Sequence, residues 1–324
     1  MRSIVSAALL SGFLSLVGIA SVQAQAPAPA AQSQPAPAYA GGGAKTCLNC
    51  HAGDAVVNPI LATPHAVQGD KNTPFGQLGC ESCHGPSAKH VESREFKPDV
   101  IFVKSKLPHT GDSKIGEVSS PEIRTAQCLT CHENNLRMNW KGSQHQTNDV
   151  ACNDCHTIHV SKDPVLVKIT QPEKCFTCHA EQRADSFKFS HHPIREGKVV
   201  CSDCHNPHGS PGPKLLKEFT VNEVCYTCHM EKRGPLLWEH EPVRESCLNC
   251  HTPHGSSEAR LLVERPPFLC EECHQEGGHQ ITPFSGSTLP GQIGENIRMM
   301  ARGCVNCHSQ IHGSNSPNGA YFNR

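Results

Sequence analysis

Ten segments of this chain read Cys-x-x-Cys-His, and together they consume all twenty cysteines. The thiol pairs are Cys47/Cys50, Cys80/Cys83, Cys128/Cys131, Cys152/Cys155, Cys175/Cys178, Cys201/Cys204, Cys225/Cys228, Cys247/Cys250, Cys270/Cys273 and Cys304/Cys307. The histidines that close them are His51, His84, His132, His156, His179, His205, His229, His251, His274 and His308. Two thiols at this spacing can add across the two vinyl groups of a porphyrin, and the adjacent imidazole can then take the iron as its proximal ligand. That is the attachment chemistry of haem c. Zinc is the rival, since paired Cys-x-x-Cys can also build a tetrahedral site. A four-cysteine zinc site needs no histidine after its second cysteine, whereas here one follows in ten cases of ten.

The remaining histidines test how the irons would be closed on their second face. The chain has 22 histidines, so twelve are left after the proximal ten. One group lies between the two Cys-x-x-Cys-His sites of a pair: His65, His145, His191, His240 and His279. A second group closely follows the second site of a pair: His90, His159, His208, His254 and His312. These ten are the expected distal ligands, which would make every haem bis-histidine. His109 and His192 are then left over. The choice within His191-His192 rests on alignment with His240-Glu241-Pro242-Val243-Arg244, which matches His240 to His191. His159, His208 and His254 stand three residues after a proximal histidine. Three residues cannot wrap around a porphyrin, so each is expected to serve a different haem from its neighbour's.

The elements that must carry these residues repeat in pairs of sites. HHPIRE before CSDCHNPHGS matches HEPVRE before CLNCHTPHGS, and GSQHQTNDVACNDCHTIH is a third copy. The upstream sites QCLTCHENN, KCFTCHAEQ, VCYTCHMEK and LCEECHQEG start 47, 50 and 45 residues apart. The chain therefore reads as five di-haem units, with an insertion of roughly Ser93 to Pro121 after the first. Repeats of this kind stack on their neighbours. Short helices should present the Cys-x-x-Cys-His segments, and Gly, Pro and Asn dictate loops between them. No alternation argues for strands. The expected fold class is a multihaem cytochrome c: irregular loops with short α-helices, little or no β-structure, drawn out into a rod of five di-haem repeats.

Residues 1–24 read as a signal peptide, with Arg2 ahead of an apolar run and Val22-Gln23-Ala24 before the cut. The run is short for a membrane anchor, which needs roughly 20 apolar residues. Residues 25–44 form an uncharged Ala/Pro/Gly-rich linker expected to be flexible. Residues 45–315 form the decahaem domain, and 316–324 a loop-like tail. Export fits covalent haem attachment outside the cytoplasm, and no cysteine is left for a disulfide. With 26 Gly, 25 Pro and 5% aromatic residues, the chain is poor in core-forming material. Ten haems would have to supply the core, so the haem-free chain is expected to be largely disordered. The net charge of −1 gives no basis for nucleic-acid binding, and the propionates of ten haems would add about twenty negative charges.

With enough histidines to close every iron, no catalytic residue is assigned and a carrier is favoured over an enzyme. A multihaem reductase is the weaker class, because the chain has no Cys-x-x-Cys-Lys site. The ordered set of sites, and the segments SHHPIREGKVVCSDCHNPHG, LLKEFTVNEVCYTCHMEKRG, WEHEPVRESCLNCHTPHGS and CEECHQEGGHQ, closely resemble the periplasmic decahaem cytochromes of the MtrA/DmsE family, including MtoA-like members. The resemblance covers about residues 45–315. It implies a haem wire that plugs an outer-membrane β-barrel of the MtrB type. Electrons would then pass between the periplasm and the cell exterior, in metal reduction or Fe(II) oxidation. Implied partners are that barrel, periplasmic or inner-membrane cytochromes, and an extracellular multihaem cytochrome or terminal reductase. The implied location is the periplasm, at the outer membrane. A soluble periplasmic electron carrier would use the same ligands and stays open at this point.

Overall fold

One turn of helix is the recurrent device. At the second site of each pair (second-type), and at most first sites (first-type), the histidine N–H reaches the carbonyl of the first cysteine four residues back. The bonds run from His84 to Cys80 (2.9 Å), His156 to Cys152 (2.8 Å), His205 to Cys201 (3.0 Å), His229 to Cys225 (2.9 Å) and His308 to Cys304 (2.8 Å). Residues four apart share a helix face, so this bond sets the first thiol and the imidazole on one side. The structure, a computed structural model, describes residues 37–93, 95–102, 118–274, 303–317, 319 and 321–322. All of these fall within one compact unit beginning at Pro37.

The helices are short because the sequence starts and stops them quickly. The longest described helix, Pro121–His132, has Ser120 as its cap, accepting from the Ile123 N–H, and Pro121 in its first turn. Thr220 and Glu223 form a reciprocal capping pair before Val221–Tyr226. In the single-turn helices Cys152–Cys155 and Cys201–Cys204 an aspartate inside the motif does the capping. Asp154 accepts from the Ala151 N–H at 2.8 Å and Asp203 from the Val200 N–H at 2.9 Å. Among the described residues β-structure is limited to isolated bridges: Ser190–Ser256, His205–Leu216, Trp238–Ser314 and His251–Leu262.

The polypeptide supplies little core. Among the described residues only nine hydrophobic side chains are buried, and the one cluster they form is Ala44, Ile60 and Phe75 with Ala66, Cys80 and Ile158 against it. What the chain lines instead is a continuous, partly open cavity of about 4840 Å³, running from Tyr39 to Phe322. A pocket for one small ligand is roughly 300–1,000 Å³, so this space is shaped for many groups.

Successive units lock together through backbone contacts that leave no room for a side chain. A Cβ on Gly255 would lie 1.9 Å from the Asp185 carbonyl oxygen of the preceding unit. A Cβ on Gly209 would lie 2.1 Å from the Asn139 carbonyl oxygen, and that residue also needs φ of +108°. Both glycines follow the Pro-His of a PHG segment, so the glycine is what lets each distal-histidine loop press onto the unit before it.

Residues on both sides of the expected 45–315 domain bond to it. The Ala40 N–H donates to the buried Glu81 carboxylate at 2.9 Å, and the Ala88 N–H donates to the Ala38 carbonyl at 3.1 Å. Glu81 also accepts from the Ser87 N–H at 2.8 Å. A buried carboxylate needs such donors, and the end of the expected linker provides one. At the other end the Gln310 N–H donates to the Phe322 carbonyl at 2.9 Å, drawing the expected tail back to the last site. Residues 1–36, which carry the expected signal peptide and most of the linker, lie outside the described residues.

Candidate haem-binding sites

All ten proximal histidines and eighteen of the twenty cysteines line the one cavity. The first thiols of the two sites in each unit lie beside one another: Cys47 by Cys80, Cys128 by Cys152, Cys175 by Cys201, Cys225 by Cys247 and Cys270 by Cys304. These thiols stand for the thioether sulfurs of a haem-bearing chain. Between units it is the second thiols that approach. Cys83 lies near Cys131, Cys155 near Cys178, Cys204 near Cys228, and Cys250 near Cys273. The alternation links consecutive sites in the order in which they occur along the chain.

Two cysteines, Cys228 and Cys307, are exposed and do not line the cavity. The Cys307 backbone keeps the turn of the motif, with the Cys307 N–H donating to the Cys304 carbonyl at 3.1 Å.

Across the cavity the proximal histidines face other histidines in nine pairs. Within the first unit His51 faces His90, with ring centres 6.3 Å apart. The other eight pairs join adjacent units, two at each junction. His65–His132 and His84–His159 join the first two units at 6.1 and 6.2 Å. His145–His179 and His156–His208, both at 6.1 Å, join the next. His192–His229 and His205–His254 follow at 6.4 and 6.1 Å. His240–His274 and His251–His312, both at 6.1 Å, complete the set. Aromatic rings in general pair anywhere from about 4.5 to 7 Å. Nine values within 0.3 Å of one another need a more specific cause. A metal between two imidazoles supplies one: two metal–nitrogen bonds of about 2 Å, plus a little over 1 Å from each nitrogen to its ring centre, give about 6.2 Å. The residues present therefore fit haem iron.

The outer nitrogens of these rings are held in a way that leaves Nε2 free for a metal. Nδ1 donates to a backbone carbonyl in His84 (Val100, 3.2 Å), His205 (Lys214, 2.9 Å), His251 (Arg260, 2.9 Å) and His308 (Tyr321, 2.6 Å). The same holds opposite, in His90 (Phe96, 2.8 Å), His145 (Pro207, 2.7 Å), His159 (Val56, 3.2 Å), His192 (Pro253, 2.7 Å) and His240 (Ile311, 2.8 Å). Such outer-shell bonds fix tautomer and ring orientation. The acceptors come from the next unit for His145, His192 and His240, so the fold rather than the motif aims those rings.

Burial completes the electrostatics. Desolvation pushes His84, His132, His205, His254 and His312 below the ordinary imidazole range, and His208 down to about 4. The neutral imidazole is the ligating form, and this shift favours it in these rings.

Residue for residue, the structure departs from the expected distal set at one place. His192, the expected spare, is the ring that faces His229. His191, expected as distal, faces no proximal histidine among the described residues; its Nδ1 donates to the Lys188 carbonyl at 2.7 Å and its Nε2 lies 3.5 Å from Glu196. The cause is one residue of register. Ser190 is fixed to Ser256 by reciprocal backbone bonds of 3.0 and 2.7 Å, and from that anchor the second residue along reaches Pro253. The signal was available in the spacing: His192 stands 13 residues after His179, as His145 does after His132. His279 and His109 lie outside the described residues, so no partner is described for the tenth site, where His308 is held by Tyr321. Sequence reasoning missed Asp163, whose carboxylate accepts from Nδ1 of His156 at 2.7 Å.

Known proteins carry the same signature. Residues 191–234 and 240–279 match the doubled CXXCH motif family, 80–169 the cytochrome c-type protein NrfB-like family, and 19–85 the cytochrome c554 and c-prime family. The multiheme cytochrome MtrA of Shewanella baltica (strain OS185) is 42% identical over 287 residues, covering 88% of this chain and 83% of that protein. Identity at this level over nearly the whole chain, joined to the paired CXXCH sites, places the chain in the MtrA family of multihaem c-type cytochromes.

Proposed function

We propose that the chain holds ten haems, each between two histidines, and conducts electrons along them in sequence order. It would do so as a rod of five di-haem repeats lying inside an outer-membrane β-barrel. When bound, each haem supplies a one-electron iron couple. The proximal histidines and thiols fasten it, and the facing histidines close its second side. For the junction of the third and fourth units the distal residue is His192. The tenth site takes His279.

The observation that carries this reading is the closure of nine rings by nine facing histidines. Catalysis at a haem needs an open position for substrate, and these pairs offer none. The alternating thiol contacts support a single file of neighbouring groups rather than scattered ones.

Export to the periplasm and a barrel partner of the MtrB type rest on the family and on the leader. Among the described residues no helix is long and apolar enough to cross a membrane. A closed barrel has no unpaired backbone edge, so it could carry such a chain across roughly 30 Å of hydrocarbon. Donors and acceptors would be cytochromes on the periplasmic side, and a multihaem cytochrome, a terminal reductase or iron outside.

The test is reconstitution with the barrel in liposomes loaded with a reduced dye. Dye oxidation by external ferric iron that needs both proteins is expected. Failure with fully haem-loaded protein, or recovery of the cytochrome only as a free periplasmic protein with no cross-linked partner, would favour a soluble carrier instead.

A further inference from the structure

The five second-type proximal histidines differ in one respect that the repeat does not predict. Four donate Nδ1 to a neutral backbone carbonyl, at Val100, Lys214, Arg260 and Tyr321. The fifth, His156, donates to a carboxylate: Oδ2 of Asp163, at 2.7 Å. The Asp163 side chain is 12% exposed and His156 28% exposed, so the charge is poorly screened.

Local sequence explains the substitution of acceptor. In the third and fourth units the carbonyl is offered by the ninth residue after the histidine, Lys214 or Arg260, each at positive φ (52° and 62°). The second unit has Val165 at that position. A β-branched residue resists the left-handed region, and Val165 is not among the residues at positive φ. The carbonyl is therefore not presented, and Asp163 fills the gap from two residues earlier. The equivalent positions are Gly212 and Glu258; the glycine has no side chain, and His251 beside Glu258 already has its carbonyl. Asp163 is anchored for the task, since its other oxygen accepts from the N–H groups of Thr157 (3.2 Å) and Val165 (3.3 Å).

We propose that Asp163 is a potential-setting residue, which lowers the reduction potential of the haem attached at Cys152 and Cys155 below the value a neutral acceptor would give. This rests on the reading of His156 and His208 as the axial pair. A charge-assisted bond is roughly twice as strong as a neutral one. It draws the imidazole proton outward, makes Nε2 a stronger donor, and so favours Fe(III) over Fe(II). Reduction adds one electron to the iron; no bond or proton is exchanged. Opposite, Nδ1 of His208 is buried with no hydrogen-bond partner. That missing neutral bond acts the other way, but it is the weaker of the two effects.

Asp163→Asn tests this, because asparagine keeps the size and one oxygen for the cap, and removes both the charge and the acceptor that faces His156. In a spectroscopically monitored redox titration, one midpoint of the ten should move to higher potential. The other nine should stay, and the absorption spectrum should remain low-spin with haem content unchanged. A titration that superimposes on that of the unmodified protein, with all haems low-spin, would overturn the proposal. If Asp163→Asn fails to load haem, the unmodified protein still decides. Of the rhombic ferric signals from its near-parallel second-type pairs, one should be lost last on reduction; their loss together would refute the role of Asp163. A high-spin ferric component in the unmodified protein would instead mean that the axial-pair reading has failed.

Discussion

His192 faces His229 across the cavity with ring centres 6.4 Å apart, while its immediate neighbour His191 turns to Glu196. Two adjacent histidines of the same type thus take opposite fates, and the difference can be read in a spectrum. His192→Ala should open one iron and give one high-spin haem that binds carbon monoxide when reduced. His191→Ala should leave every haem low-spin. His240→Met should keep its haem low-spin but raise that one potential, since a thioether ligand favours Fe(II). The reverse pattern for the two neighbours would return the ligand role to His191.

The ring planes of the facing pairs fall into classes that ligand-field theory distinguishes. Four pairs lie close to parallel, at 8° (His156–His208), 13° (His251–His312), 20° (His205–His254) and 22° (His240–His274). Three are nearly perpendicular, at 71° (His145–His179), 78° (His84–His159) and 82° (His65–His132). Low-temperature EPR of the oxidised protein should therefore show rhombic and large-g-anisotropy signals together. A spectrum of one type alone would contradict the geometry.

Acid should act late. Burial lowers the folded-state values of His84, His132, His205, His254 and His312, and holds His208 at about 4 against an ordinary value near 6.5. The unfolded chain binds the extra protons, so neutrality of these rings favours the folded state fully above about 6.5 and ceases to do so as pH falls towards about 4. Iron at Nε2 competes with the proton in the same direction. The low-spin spectrum should persist through mildly acidic solution and give way only near or below about pH 4. A transition centred near pH 6.5 would show the rings to be solvated.

Gly255→Ala should weaken the junction between the third and fourth units. The added methyl would meet the Asp185 carbonyl at 1.9 Å, so backbone must move. Overpacking of this kind costs about 1–3 kcal/mol, visible as a lower thermal midpoint in Soret circular dichroism. Gly53→Ala, with nothing within 4 Å of its Cβ, is the control and should be silent. Equal midpoints for the two variants would show that the close approach is not maintained in solution.

The sequence by itself determined the chemistry. Cys-x-x-Cys-His is a local motif, since a single helical turn is enough to place thiol and imidazole together, and the ten sites and their pairing into units need nothing from the rest of the chain. The scarcity of core-forming residues was equally legible, and the large continuous cavity answers to it. What faces each proximal histidine was decided only in three dimensions. Eight of the nine described pairs cross from one unit to the next, and the acceptors that orient His145, His192 and His240 come from a unit further along. No spacing within one repeat encodes such a contact. Alignment of the repeats gave His191 the place of His192, because it weighed residue identity and not the Ser190–Ser256 bridge that fixes the register. Asp163 was invisible for a related reason: its role follows from the backbone angle Val165 does not take, a property of the folded loop.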